Sequence, residues 1–191
     1  PGRFLAEGSA RLAAAAGEAA AGYAMQVKGQ EFPSHEPRGK WGVALAYAIS
    51  PTGADHCHSL HDTGLVYPGE DGFLQSGRLR GMGVLEAMDL ESLGPEKVRA
   101  TIYNTMASIM LNCLTMCSMP GWSVRDLAEM VQAATGWDVS EYELLKLGER
   151  ALTLARVFNM REGITRKDDV LPPRMKVPHV TQTINEKPVD P

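Results

Sequence analysis

The chain has 191 residues, 44% of them hydrophobic, and a net charge of −4 at pH 7. That length supports a proper core in one domain or two small ones, and the mixing of acidic and basic residues excludes a polyanion-binding face, so no nucleic-acid partner is expected. Three cysteines, an odd number with Cys113 and Cys117 close together, exclude a secreted disulfide framework and fit a reducing, cytoplasmic setting.

Residues 4–21 are rich in alanine and predict a helix ending near Gly22, with Leu5, Leu12, Ala13 and Ala16 on one side. Residues 28–39 hold two prolines and two glycines, which forbids a regular helix and predicts an ordered loop. A short helix over 40–49 follows, apolar nearly all round and therefore expected to be buried, and Ser50-Pro51-Thr52-Gly53 stops it. From 62 to 83 the chain turns glycine-rich and irregular, a connection of a length usually reserved for function.

A helix over about 95–119 carries Ile102, Met106, Ile109, Met110, Cys113, Met116 and Cys117 at spacings of three and four, which puts Cys113 on the core stripe. Tyr103, Asn104, Ser108 and Asn112 interrupt it, so it does not read as a membrane span. Ser123 with Asp126, and Ser140 with Glu143, are start signals for two more helices. Gly136 closes the first, and the second presents Leu144, Leu147, Gly148, Ala151, Leu154, Ala155 and Phe158 as its apolar face. After Gly163 the composition turns to proline and charge, and the tail with Pro178, Pro188 and Pro191 is expected to be extended and laid over a surface. The chain thus divides into a helical segment 1–60, a connection 61–94, a helical domain 95–175 and a tail 176–191. The whole is mainly α, irregular and multi-helical.

Chemistry has few places to reside. Asp55-His-Cys-His58, with His61 and Asp62 after it, is dense in imidazole, thiol and carboxylate, but the groups fall too close together for the paired spacing of a structural zinc site. A polar turn and a single functional histidine beside a cofactor are the other readings. Cys113 and Cys117, four apart on a helix, are either small core residues or a metal-ligating pair. Lys28, Glu31, Glu36 and Arg38 make the 28–39 loop a solvated segment or a grip for an anionic cofactor, with Lys28 and Arg38 as the cationic candidates.

Lys28-Gly-Gln-Glu-Phe-Pro-Ser-His-Glu-Pro-Arg-Gly39, then Gly42-Val-Ala-Leu-Ala-Tyr-Ala-Ile-Ser50 and Gly53-Ala-Asp-His56, resembles the C-terminal half of the aldehyde ferredoxin oxidoreductases. Ala134-Thr-Gly136, Gly148-Glu-Arg150, Arg156-Val-Phe-Asn159, Arg161-Glu-Gly163 and Asp169-Val-Leu-Pro-Pro-Arg174 look like that family's closing helices and LPxR segment. The resemblance implies helical domains folded against a cofactor domain, a tungsten or molybdenum bis-pyranopterin, a [4Fe–4S] cluster, a small aldehyde substrate and ferredoxin as electron acceptor. It implies that His56 is the catalytic histidine near the metal and that Cys113 is the last cluster ligand.

The family's other three cluster ligands lie in a CxxCxxxC motif that this sequence lacks, so the chain, starting Pro1-Gly2-Arg3-Phe4, reads as part of something larger. The family pattern Asp-x-x-Gly-x-Cys here reads Ser108-Ile-Met-Leu-Asn-Cys113. Ser108 is left as a hydrogen-bonding pterin contact without a fixed charge, and Leu111 is expected to crowd a cofactor where glycine leaves room. A divergent tungsten enzyme acting on another substrate, such as an aromatic thioester, and a helical domain that has lost its cofactor and serves in assembly are the alternatives. Without a cofactor domain the apolar sides of helices 40–49 and 95–119 are expected to be exposed, which favours self-association as a homodimer.

Overall fold

The structure is a computed structural model, and it describes residues 2–58, 61–66 and 81–177. Most of the glycine-rich connection, at 67–80, and the proline-bearing tail from 178 onward lie outside the described residues.

The fold is mainly helical, as the periodicity predicts. Helices α1 (Gly2–Ala6) and α2 (Ser9–Ala16) replace the single helix expected over 4–21. Gly8 and Gly17, at φ +82° and +105°, break it, because a helix cannot continue through such backbone. A 3-10 turn at Glu18–Tyr23 leads to a hairpin of β1 (Gln26–Val27) and β2 (Gln30–Glu31), paired antiparallel. Lys28 and Gly29 form its two-residue turn at φ +52° and +83°, the left-handed pair that such a tight hairpin demands.

Helix α3 (Trp41–Ile49) is buried along most of its length, with Val43, Ala44 and Tyr47 fully inside. Around it lies the first core: Val27, Val43, Ala44, Tyr47, Ala48 and Ala54, joined by Leu171 and Met175 from the far end of the chain. Leu171 and Met175 thus bring the closing segment back onto the first core, across the boundary drawn at residue 95. The short α4 (Thr63–Val66) belongs to a small cluster of Leu65, Val84 and Ala100.

Helix α5 (Pro95–Cys113), α6 (Val124–Thr135) and α7 (Glu141–Arg161) build the second core from Met110, Leu111, Val124, Leu127, Ala128 and Leu144. Both predicted capping boxes form, Ser123 with Asp126 and Ser140 with Glu143, and Gly136 adopts the left-handed cap. Gly148 lets α7 cross α5 closely, since a Cβ there would stand 2.1 Å from the Met106 carbonyl oxygen.

Two expectations are corrected here. Helix α5 ends at Cys113, not near 119, because Thr115 turns left-handed at φ +55° while Leu114, Thr115 and Met116 donate back to Met110, Asn112 and Leu111. Cys113 is therefore exposed at a helix end, off the core stripe. The inner face drawn on α7 is also partly open, since Leu154 and Phe158, placed there by periodicity, are 69% and 63% exposed; α3 and α5 leave apolar side chains exposed as well, at Ile49 and at Val98 and Ile102.

Candidate functional site

The site begins with how α3 is held. Its own N-cap residue, Lys40, makes no side-chain cap; instead the Asp62 carboxylate accepts hydrogen bonds from the amides of Gly42 (2.9 Å) and Val43 (3.1 Å). Gly42 is required, because a Cβ would stand 2.8 Å from that carboxylate. The Asp62 charge is met by Lys97, whose ammonium also donates to the Asp89 carbonyl at 2.7 Å. At the other end of α3, the Lys28 ammonium donates to the carbonyls of Ala48 (2.5 Å) and Ser50 (3.0 Å) and pairs with Asp169 at 2.8 Å.

Beyond α3 the chain turns sharply. Gly53, at φ +85°, lies against the hairpin, with its notional Cβ 2.1 Å from the Val27 carbonyl oxygen. Asp55 then accepts from the Cys57 amide at 2.8 Å and lies 3.0 Å from His58 Nδ1, within ion-pair range. His58 reaches α5: its Nε2 is 2.6 Å from Asn112 Nδ2, and its carbonyl accepts from the Thr105 hydroxyl at 3.1 Å. The turn carrying His56 is thereby tied to the residue immediately before Cys113.

Around the half-buried His56 three imidazoles gather. Its ring centroid is 5.0 Å from that of His35 and 6.1 Å from that of His61, while His35 and His61 are 4.7 Å apart. His61 Nε2 lies 3.2 Å from the His56 carbonyl oxygen. Burial, then the Lys40 ammonium, holds the His35 imidazole below its ordinary value; burial, then His35 and Lys40, does the same to His61. Periodicity gave no signal for His35, which the PRG loop brings in from twenty-one residues upstream.

Asp55, His56 and Cys57 place an oxygen, a nitrogen and a sulfur within 4.8 Å of one another. The group does not read as a metal centre: Asp55 is engaged by the Cys57 amide and the Thr52 hydroxyl, and burial followed by the Asp55 charge pushes the Cys57 thiol up and keeps it protonated. Tyr47, its ring tilted against Phe32 at a centroid distance of 5.2 Å, is buried beneath this turn with a phenol held well above its ordinary range by burial and by Asp55.

The other predicted site residues divide. Cys113 is a free, exposed thiol. Ser108 is buried, three residues from Thr105 and four from Asn112 on the same side of α5. Lys28 has all three ammonium donors used inside the chain, so it braces α3 and has none left for a cofactor. Arg38 grips both oxygens of Glu36 at 2.8 Å and donates to the Val177 carbonyl at 3.0 Å, which fastens the loop to the closing segment. Leu111 is 1% exposed among Met110, Val124 and Leu127, so it fills the helical core and does not crowd the side where Cys113 stands. The exposed Cys113 thiol at the end of α5 fits a ligand to a cluster approached from outside this chain, and the half-buried His56 imidazole lies on a turn fixed to that helix.

A pocket of about 330 Å³ lies where α3, α5 and α7 meet, lined by Ile49, Pro51, Ile102 and Leu152, with His58, Thr105 and the Arg156–Asp169 pair on its wall. Among the described residues no helix is long and apolar enough to cross a membrane.

A family model described as aldehyde ferredoxin oxidoreductase, domains 2 & 3, matches residues 1–190. Curated relatives include the tungsten-containing aldehyde ferredoxin oxidoreductases of Thermococcus kodakarensis, 32% identical over 176 residues, and of Pyrococcus horikoshii, 33% identical over 178 residues. That of Pyrococcus furiosus is 30% identical over 176 residues. Each match covers 91% of this chain and 26% of the relative, so the chain spans about a quarter of the length of the curated relatives it matches. With the motifs in order and the match running almost end to end, the chain belongs to the aldehyde ferredoxin oxidoreductase family and corresponds to its second and third domains.

Proposed function

We propose that this chain is the C-terminal portion of a cytoplasmic tungsten-pterin, iron–sulfur oxidoreductase that oxidises aldehydes to carboxylic acids and passes the electrons to ferredoxin. The observation that carries the reading is the 2.6 Å contact between His58 and Asn112, which couples the His56 turn to the helix end bearing Cys113. That contact supports reading His56 and Cys113 as parts of one site.

The net reaction takes an aldehyde and water to a carboxylic acid, two protons and two electrons. When bound, the tungsten centre supplies the two-electron oxidation and the cluster relays the electrons singly. This chain supplies the rest. His56 accepts the proton released as water adds to the carbonyl, a role suited to an imidazole near neutral pH. Cys113 offers its thiolate as one cluster ligand. Ser108, on the side of α5 that faces the His58 turn, is the candidate pterin contact. Lys28 and Arg38 act at one remove by fixing α3 and the PRG loop.

Metal analysis of the protein carrying this chain, purified without oxygen, tests the reading. Tungsten with about four irons per chain and aldehyde-dependent dye reduction are expected; folded protein with neither metal overturns it. A second reading is favoured by one observation, the serine at 108 where the family carries an aspartate. It is a tungsten enzyme of another substrate class, such as aromatic thioesters, and shows the same metals without turnover of common aldehydes.

A further inference from the structure

The three imidazoles come from separate places, His35 from the PRG loop and His56 and His61 from either side of the tight turn after α3. Their centroids nonetheless lie within 4.7–6.1 Å of one another. Two of them have no part in the function proposed above. We propose that His35 and His61 are positioning residues for His56, and that the three rings form one packed cluster in which His56 alone exchanges a proton with substrate. This rests on the reading of His56 as the proton acceptor.

The geometry supports it in two ways. His61 Nε2 at 3.2 Å from the His56 carbonyl closes the turn on itself, so the His56 backbone is fixed by a side chain five residues on. His35 packs against both other rings, at centroid distances of 5.0 Å to His56 and 4.7 Å to His61. Rings this close cannot all be charged, because each imidazolium raises the cost of the next. The groups facing the cluster are Lys40 from the start of α3, which disfavours further positive charge, and Asp55 and Cys57 from the turn itself. Burial and Lys40 keep His35 and His61 neutral at pH 7, so they do not compete for a proton arriving at His56. In the step itself the proton passes from the adding water to a ring nitrogen of His56 and then to solvent; no electron moves.

The test uses the full protein with labelled histidines, followed by NMR as pH is varied, alongside steady-state kinetics. His35 and His61 are expected to titrate below 6.5, the ordinary imidazole value, and Lys40→Met to move both upward. His35→Asn is expected to raise His61. His61→Leu should lower kcat about tenfold with KM unchanged, while His61→Gln, which keeps a donor for the His56 carbonyl, restores most of it. Rings that titrate independently of Lys40→Met and His35→Asn overturn the proposal, as does His61→Leu with wild-type kcat. The titration reads the coupling even in protein without turnover, so failure of the redox reading and failure of the cluster are told apart.

Discussion

Lys97 and Asp62 form an ion pair deep in the protein, with 1% and 0% of their side chains exposed. Two buried charges cost several kcal/mol each to desolvate, and here the cost is offset by their mutual attraction and by three further hydrogen bonds, from Gly42 and Val43 to Asp62 and from Lys97 to Asp89. The pair links α5 to the first turn of α3. Lys97→Met leaves the carboxylate uncompensated and is expected to destabilise the fold by about 3–5 kcal/mol in urea denaturation. Asp62→Leu also strips the start of α3 and should cost at least as much; a loss below about 1 kcal/mol for either would contradict the account.

Two glycines are fixed by what stands beside them. Gly148→Ala drives a methyl group to 2.1 Å from the Met106 carbonyl and must push α5 and α7 apart, which is expected to cost about 1–3 kcal/mol and to lower the melting temperature. Gly53→Ala adds left-handed strain at φ +85° to a clash with Val27, and should reduce turnover as well as stability because the His56 turn starts there.

Acid should weaken the protein in two stages, each with a definite sign. His35 and His61 have folded values below the unfolded 6.5, so the unfolded state binds more protons and stability falls as pH drops through 6.5 towards their folded values. Asp169 is pushed up by burial, but the hydrogen bonds from Arg156 and Lys28 outweigh this and hold it below 3.8. Its contribution is complete above 3.8 and is lost as pH falls through the lower folded value. Thermal melts between pH 7.5 and 3 check both stages, and Asp169→Asn should reduce the second, to which Asp126, Glu143 and Asp168 also contribute.

Cys113 is exposed and makes no core contact, so Cys113→Ser should leave the fold intact while iron content and the visible cluster absorption fall. Wild-type iron in that variant would exclude Cys113 as a ligand.

His56→Asn is expected to lower kcat by about 10²–10⁴ with tungsten and iron retained, the range for loss of a proton-transfer group. Asn112→Leu removes the tie between His58 and α5, and a smaller loss of kcat should accompany it. Full activity in His56→Asn would place the proton acceptor elsewhere.

What the sequence by itself determined was local. The capping boxes at Ser123 and Ser140, the left-handed Gly136 and the buried helix over 41–49 all rest on hydrogen bonds and periodicity within a few residues, which neighbours in sequence can specify. The His56 turn and the PRG loop were legible for the same reason, and the order of their motifs carried the family. Tertiary structure alone decided the rest. Asp62 caps a helix twenty residues upstream, Lys97 is buried because that carboxylate awaits it, and Lys28 is saturated by carbonyls at the far end of α3 and by Asp169. His35 joins His56 and His61 only because the loop folds back, and Cys113 leaves the core stripe because Thr115 turns left-handed just after it. Pairings between distant groups depend on which elements meet and on how much water they exclude, and no local pattern of residues encodes either.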